Sequence, residues 1–122
     1  MLKNALVLVA LLASAVQAET AALTWTATGD DGAVGTATAY DLRMSTSVIT
    51  AANFNAATQV LNVPAPKISG TTETFTVTGL TAGTYYFAIK AVDEVGNWSA
   101  ISNVLLKIIL DTTPPAAMVD LR

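Results

Sequence analysis

Residues 79–102 read Gly79-Leu80-Thr81-Ala82-Gly83-Thr84-Tyr85-Tyr86-Phe87-Ala88-Ile89-Lys90-Ala91-Val92-Asp93-Glu94-Val95-Gly96-Asn97-Trp98-Ser99-Ala100-Ile101-Ser102. A leucine between two glycines marks a tight corner. Beyond it, Tyr85, Phe87, Ile89 and Ala91 alternate with Thr84, Tyr86, Ala88 and Lys90. A period of two is that of a strand with one buried face. The polar stretch Asp93 to Asn97 then turns the chain, and an apolar run resumes at Ile101.

Working upstream, Leu23 and Trp25 share one face of an alternating segment, Ala22 to Ala27. An early buried Trp suits a small domain that needs one large central packing unit. Gly29-Asp30-Asp31-Gly32 reads as a turn, because Asp and Gly tolerate unusual backbone angles. Tyr40, Leu42 and Met44 alternate with Asp41, Arg43 and Ser45 as a further half-buried strand. Thr50 is placed to cap a helical turn that tucks Phe54 inward. Gln59 to Val63 fits a short edge strand ended by Pro64 and Pro66, which cannot donate to a ladder. Thr74 to Thr78 alternates around Phe75 and Val77, and Ser102 to Leu110 closes the domain. Short strands joined by Gly-, Asp- and Pro-rich turns predict an all-β, antiparallel sandwich. Its expected core is Leu23, Trp25, Tyr40, Leu42, Phe75, Val77, Leu80, Tyr85, Phe87 and Ile89.

Over residues 22–110 the chain resembles a fibronectin type III domain, an immunoglobulin-like β-sandwich, of the kind found in secreted bacterial proteins. Leu23 and Trp25 match the second strand of that fold and Tyr40 and Leu42 its third. Leu80, Gly83 and Tyr85 match its tyrosine corner, and Asp93 to Ser99 looks like a hairpin loop common in such domains. The resemblance implies a noncatalytic module that spaces other units or presents loops to a partner. Residues 111–122 in turn resemble the linker and first strand of such a domain. Only Glu19, Thr20 and Ala21 lie between an expected leader cleavage site after Ala18 and the Trp25 strand. The domain is therefore expected to lack its own first strand and to carry a copy at the other end.

The start of the chain is organised differently. Met1-Leu2-Lys3-Asn4 is basic, Ala5 to Val16 is apolar, and Val16-Gln17-Ala18 is a small-residue site. That order predicts a secretory signal peptide over residues 1–18. The apolar run is shorter than the ~20 residues a membrane span needs. Lys107 interrupts the last apolar run, so no membrane span is expected in the mature chain. The domain would occupy residues 19–110, with residues 111–122 as a linker and the start of a following module. The expected location is secreted, at the cell surface or in the periplasm.

Composition narrows the chemistry. The chain of 122 residues has no Cys and no His, so disulfides are excluded and the commonest general base and metal ligand are missing. Removal of Lys3 with the leader leaves five basic side chains against nine acidic ones, which speaks against a nucleic-acid partner. Asp30 and Asp31 are a calcium-type pair but supply too few ligands alone, and the same holds for Asp93 and Glu94. A hydrolase using Asp30 or Asp93 as its acid would need a second carboxylate held at a fixed separation in a pocket. Neither a catalytic residue nor a cofactor is therefore expected, and the protein is read as not an enzyme. Trp98 and Tyr86 are the candidate ligand-binding residues, since an exposed Trp beside a Tyr can stack on a sugar or anchor a partner. The duller alternative folds Trp98 back over the sandwich end. Asn97-Trp98-Ser99 also fits an N-glycosylation pattern. The partner would be a protein or a polysaccharide, and the free edge beside Trp25 invites strand exchange between copies.

Overall fold

A computed structural model describes residues 19–122; the expected leader over residues 1–18 lies outside the described residues. Six strands follow one another: β1 (Glu19–Thr26), β2 (Ala39–Ser45), β3 (Thr58–Gln59), β4 (Thr72–Leu80), β5 (Gly83–Val92) and β6 (Leu105–Ile109). They form two antiparallel sheets, one of order β1-β4 and one of order β3-β2-β5-β6. Packed face to face they make an immunoglobulin-like β-sandwich, as the alternation of apolar residues predicts. Among the described residues no helix is long and apolar enough to cross a membrane.

The main core gathers Ala21, Leu23, Leu42, Val77, Leu80, Tyr85 and Phe87 between the sheets. Trp25, Phe75 and Ile89, expected to be buried with them, pack against this cluster but stay half-buried. Tyr40 is half-buried too, with its ring edge-on to Trp25 at a centroid distance of 5.4 Å. The reason is the inequality of the layers: two strands cannot roof over four.

Several boundaries differ from expectation. β4 runs on to Leu80 through Gly79, whose φ of 74° is a left-handed conformation that glycine adopts without strain. The edge strand expected over Gln59 to Val63 is the two-residue β3, after which only the Val60 amide still bonds to Leu42 O. Beyond the turn at Asp93, β6 begins late. Residues 99–102 shadow β5 instead, with the Ser99 and Ser102 hydroxyls accepting the amides of Ala91 and Ile89 at 2.9 Å each. Serine oxygens thus replace strand carbonyls as acceptors for these two amides.

The outer face of the larger sheet is covered as well. The link from β2 to β3 folds back over it, and Ile49 and Phe54 bury against Ala88. Thr50 and Asn53 fix this link reciprocally: Asn53 Oδ1 accepts the Thr50 amide at 2.7 Å, and Thr50 Oγ1 accepts the Asn53 amide at 3.2 Å. Phe54 then opens a single 3-10 turn, Phe54–Ala56. Arg43 ties the turn down, donating to the Asn55 and Ala57 carbonyls while forking onto Asp41.

The corner before β5 is closed by Tyr85, whose hydroxyl donates to Thr81 O at 2.8 Å. Tyr85→Phe should cost on the order of 1 kcal/mol, the usual net worth of one hydrogen bond. Tyr86→Phe should cost less, because the Tyr86 hydroxyl makes no hydrogen bond within the described residues. Equal losses in urea unfolding at the two positions would contradict this assignment of faces.

Candidate functional site

Two features stand out: an acidic pole where loops meet, and an open flank between the sheets. At the pole, the turn after β1 doubles back tightly, with Asp30 and Asp31 amides both donating to Val34 O. Gly29 is required there, since a Cβ would fall 2.3 Å from Val34 backbone atoms. The second loop is organised by Asp93. Its Oδ1 accepts the amides of Val95 and Asn97, and its Oδ2 accepts Asn97 Nδ2 at 2.8 Å. These donors, the Asn97 amide foremost, hold the Asp93 carboxyl below its ordinary pKa.

The structure brings the two acidic loops to the same end of the sandwich, where Asp30, Asp31, Asp93, Asn97 and Trp98 line a groove of about 350 Å³. Asp30 Oδ1 is shielded from water and has no donor of its own. The Glu94 carboxyl beside it first, and desolvation and like charge after that, push the Asp30 pKa up to about 6. The folded value lies above the ordinary 3.8, so the stability lent by protonating Asp30 is full below pH 3.8 and lost as pH rises through about 6. An NMR titration of the Asp30 carboxyl should therefore show a midpoint near 6, falling in Glu94→Gln. A midpoint near 3.8 in the parent would contradict this account of the acidic pole. Among the described residues no group of three or more acidic side chains is arranged to hold a metal ion.

Trp98 stands 53% exposed beside this groove, with its backbone bridged to Val92. It does not fold back into the sandwich end. Tyr86 lies six residues from Val92 along β5, roughly 20 Å away at the rise of a strand, and packs beside Ile49 and Phe54. The structure does not bring the two aromatic candidates together.

The flank is the second feature. β1 pairs with β4 and, among the described residues, has no strand on its other side. Its ladder continues one residue further, where Ala27 bonds to Thr71 and Gly70. Antiparallel bonding alternates, so Ala21, Leu23 and Trp25 face β4 with their backbone groups. Ala22, Thr24 and Thr26 then aim theirs outward, unpaired by any strand. Across the gap lies β6, the outer strand of the other sheet, which touches β1. Leu105, Lys107 and Ile109 sit opposite Phe87, Tyr85 and Gly83 and so share the inward face, yet Leu105 remains 38% exposed.

Higher on the same flank, Trp25, Tyr40, Ile89 and Ser102 line a groove of about 470 Å³. Glu73 is fully buried beneath it, accepting the Tyr40 hydroxyl and the Lys67 amide on Oε2. Burial, and then this bond to Glu73, push the Tyr40 pKa up to about 12. Glu73 Oε1 and Trp25 Nε1, on register-paired residues of β4 and β1, have no partner. A buried carboxylate on a strand otherwise read from Phe75 and Val77 was not visible in the sequence. The alternation itself was the available signal, since it puts Glu73 on their face.

Over an alignment of 103 residues the chain is 40% identical to calcium-activated chloride channel regulator 1 of Macaca mulatta and of Homo sapiens. The alignment takes in 76% of this chain and 11% of each relative, so the chain spans a small fraction of the curated relatives it matches. No family model matches the chain. No solved structure matches it either.

Proposed function

We propose that the chain is a noncatalytic, extracellular fibronectin type III-like module, serving as a spacer or binding unit of a larger secreted or cell-surface protein. The observation that carries this reading is the open flank, where β1 offers backbone groups unpaired among the described residues beside Leu105 of β6, which faces inward yet is 38% exposed. Such an edge is a template for another strand, and association by strand addition needs no pocket and no reactive group. The similarity to a small part of a much longer relative supports a modular role. On this reading residues 111–122 are a linker and the start of a following module. Produced with residues 1–18 in a bacterial host, the protein should be recovered from the periplasm or medium with Glu19 as its first residue. Recovery from the cytoplasm with residues 1–18 intact would overturn the extracellular part of this reading.

A second reading, carbohydrate binding by an accessory domain of a secreted enzyme, is favoured by one observation. Trp98 projects beside a polar groove that contains Asp30, Asp31, Asp93 and Asn97. An exposed indole ring next to hydrogen-bonding groups is suited to stacking on a sugar face. On this reading Trp98→Ala loses retention on insoluble polysaccharide with little change in unfolding midpoint. Tyr86→Ala would leave retention intact. Equal retention of parent and Trp98→Ala would exclude the site.

A further inference from the structure

We infer that the open flank of one copy is filled by residues 116–121 of a second copy, which add to β1 as an antiparallel strand. This rests on reading the chain as a binding module whose contact surface is the flank.

The tail has the chemistry the flank lacks. Residues 111–122 belong to no strand, and Met118, Val119 and Leu121 are 90%, 87% and 93% exposed. In an extended strand Ala117, Val119 and Leu121 fall on one side, with Met118 and Asp120 on the other. That apolar side can close over Leu105. Ala116, Met118 and Asp120, whose backbone groups then face β1, all keep their amides, so the segment can donate at every second position of the ladder. Pro114 and Pro115 come just before it, with no amide to offer, and favour an extended approach.

Geometry directs the tail to another copy. β6 ends with Ile109 beside Gly83, at the pole where β1 begins, and Thr112 Oγ1 donates to Glu19 Oε1 at 3.1 Å. To run antiparallel to its own β1, the tail would first have to climb to the opposite pole. The eight residues of β1 span about 25 Å, and twelve tail residues reach at most about 40 Å. Too few residues remain for the return. A tail that simply continues away from its own sandwich meets no such limit and can enter the far end of a neighbour's β1. The contact is heterologous, so copies join head to tail.

Sedimentation equilibrium of the protein from Glu19 to Arg122 tests this, with two variants. Thr24→Pro removes an outward amide from the edge, and Met118→Pro removes one that faces it from the tail; both positions are exposed, so the sandwich should survive. The parent should gain mass with concentration, and each variant alone should stay monomeric. Mixed, the two variants should form a one-to-one pair of twice the monomer mass, since one keeps its edge and the other its tail. A parent that is monomeric throughout, or assembly that persists in both variants, would overturn the inference. Amide exchange at Thr24 in dilute parent separates the two levels. Protection in a dilute monomer would show the flank already closed and would overturn the binding reading along with the inference. Free exchange without assembly would overturn the inference alone.

Discussion

Phe87→Ala should lower the free energy of unfolding by about 3–5 kcal/mol, the range for emptying a large aromatic site. Phe87 is 2% exposed on β5, between Met44 of β2 and Leu105 of β6 in register. From there it reaches into the cluster with Leu23, Leu42 and Val77. The two sheets meet at this point, and a rigid sandwich cannot close a ring-sized hole by moving one strand. Small domains hold roughly 5–15 kcal/mol in total, and this one has no disulfide to fall back on. The urea midpoint should fall steeply with an unchanged slope. A midpoint within error of the parent would mean that the sheets do not pack on this residue.

Phe54→Ala should cost a similar amount, about 3–5 kcal/mol, although Phe54 lies outside the main core. Its side chain is 1% exposed, against Ile49 and Ala88 on the outer face of the larger sheet. Two cations add to its worth: Lys90 Nζ lies 4.6 Å and the Arg43 guanidinium 5.5 Å from the ring centroid. Losing the ring should also release the link from β2 to β3, so amide exchange should rise over residues 46–59. A loss below about 1 kcal/mol would show that the link rests on the Arg43 bonds to carbonyls rather than on the ring.

The main core was legible because its signal is local. Alternation in Leu23 and Trp25, in Tyr40 and Leu42, and in Tyr85, Phe87 and Ile89 assigns faces without knowledge of any partner strand. The tyrosine corner was legible for the same reason, since Tyr85 needs only Thr81, four residues away. The second core was half legible. Thr50 and Phe54 announced an inward turn, but the surface receiving Phe54 is Ala88, thirty-four residues later. In the period of two, Ala88 and Tyr86 read as the solvent face; only the fold-back of the β2–β3 link covers them.

The candidate site was less legible still. Asp30 and Asp31 lie more than sixty residues from Asp93 and Glu94, and only the sandwich brings the loops to one pole. Trp98 and Tyr86 are close in sequence yet set apart by the length of β5. The edge beside Trp25 was legible from the short segment ahead of it. That β6 would leave Leu105 partly uncovered was not, because β6 is apolar on both faces and looks like a strand enclosed on both sides.

The central claim is that the smaller sheet has two strands and that β1 has a free outer edge. Residue-resolved amide exchange in dilute protein tests it most directly. The account predicts alternation along β1: slow exchange at Leu23 and Trp25, whose amides face β4, and fast exchange at Ala22 and Thr24, whose amides face outward. Uniform protection along β1 would mean that a further strand covers the edge and would contradict the account.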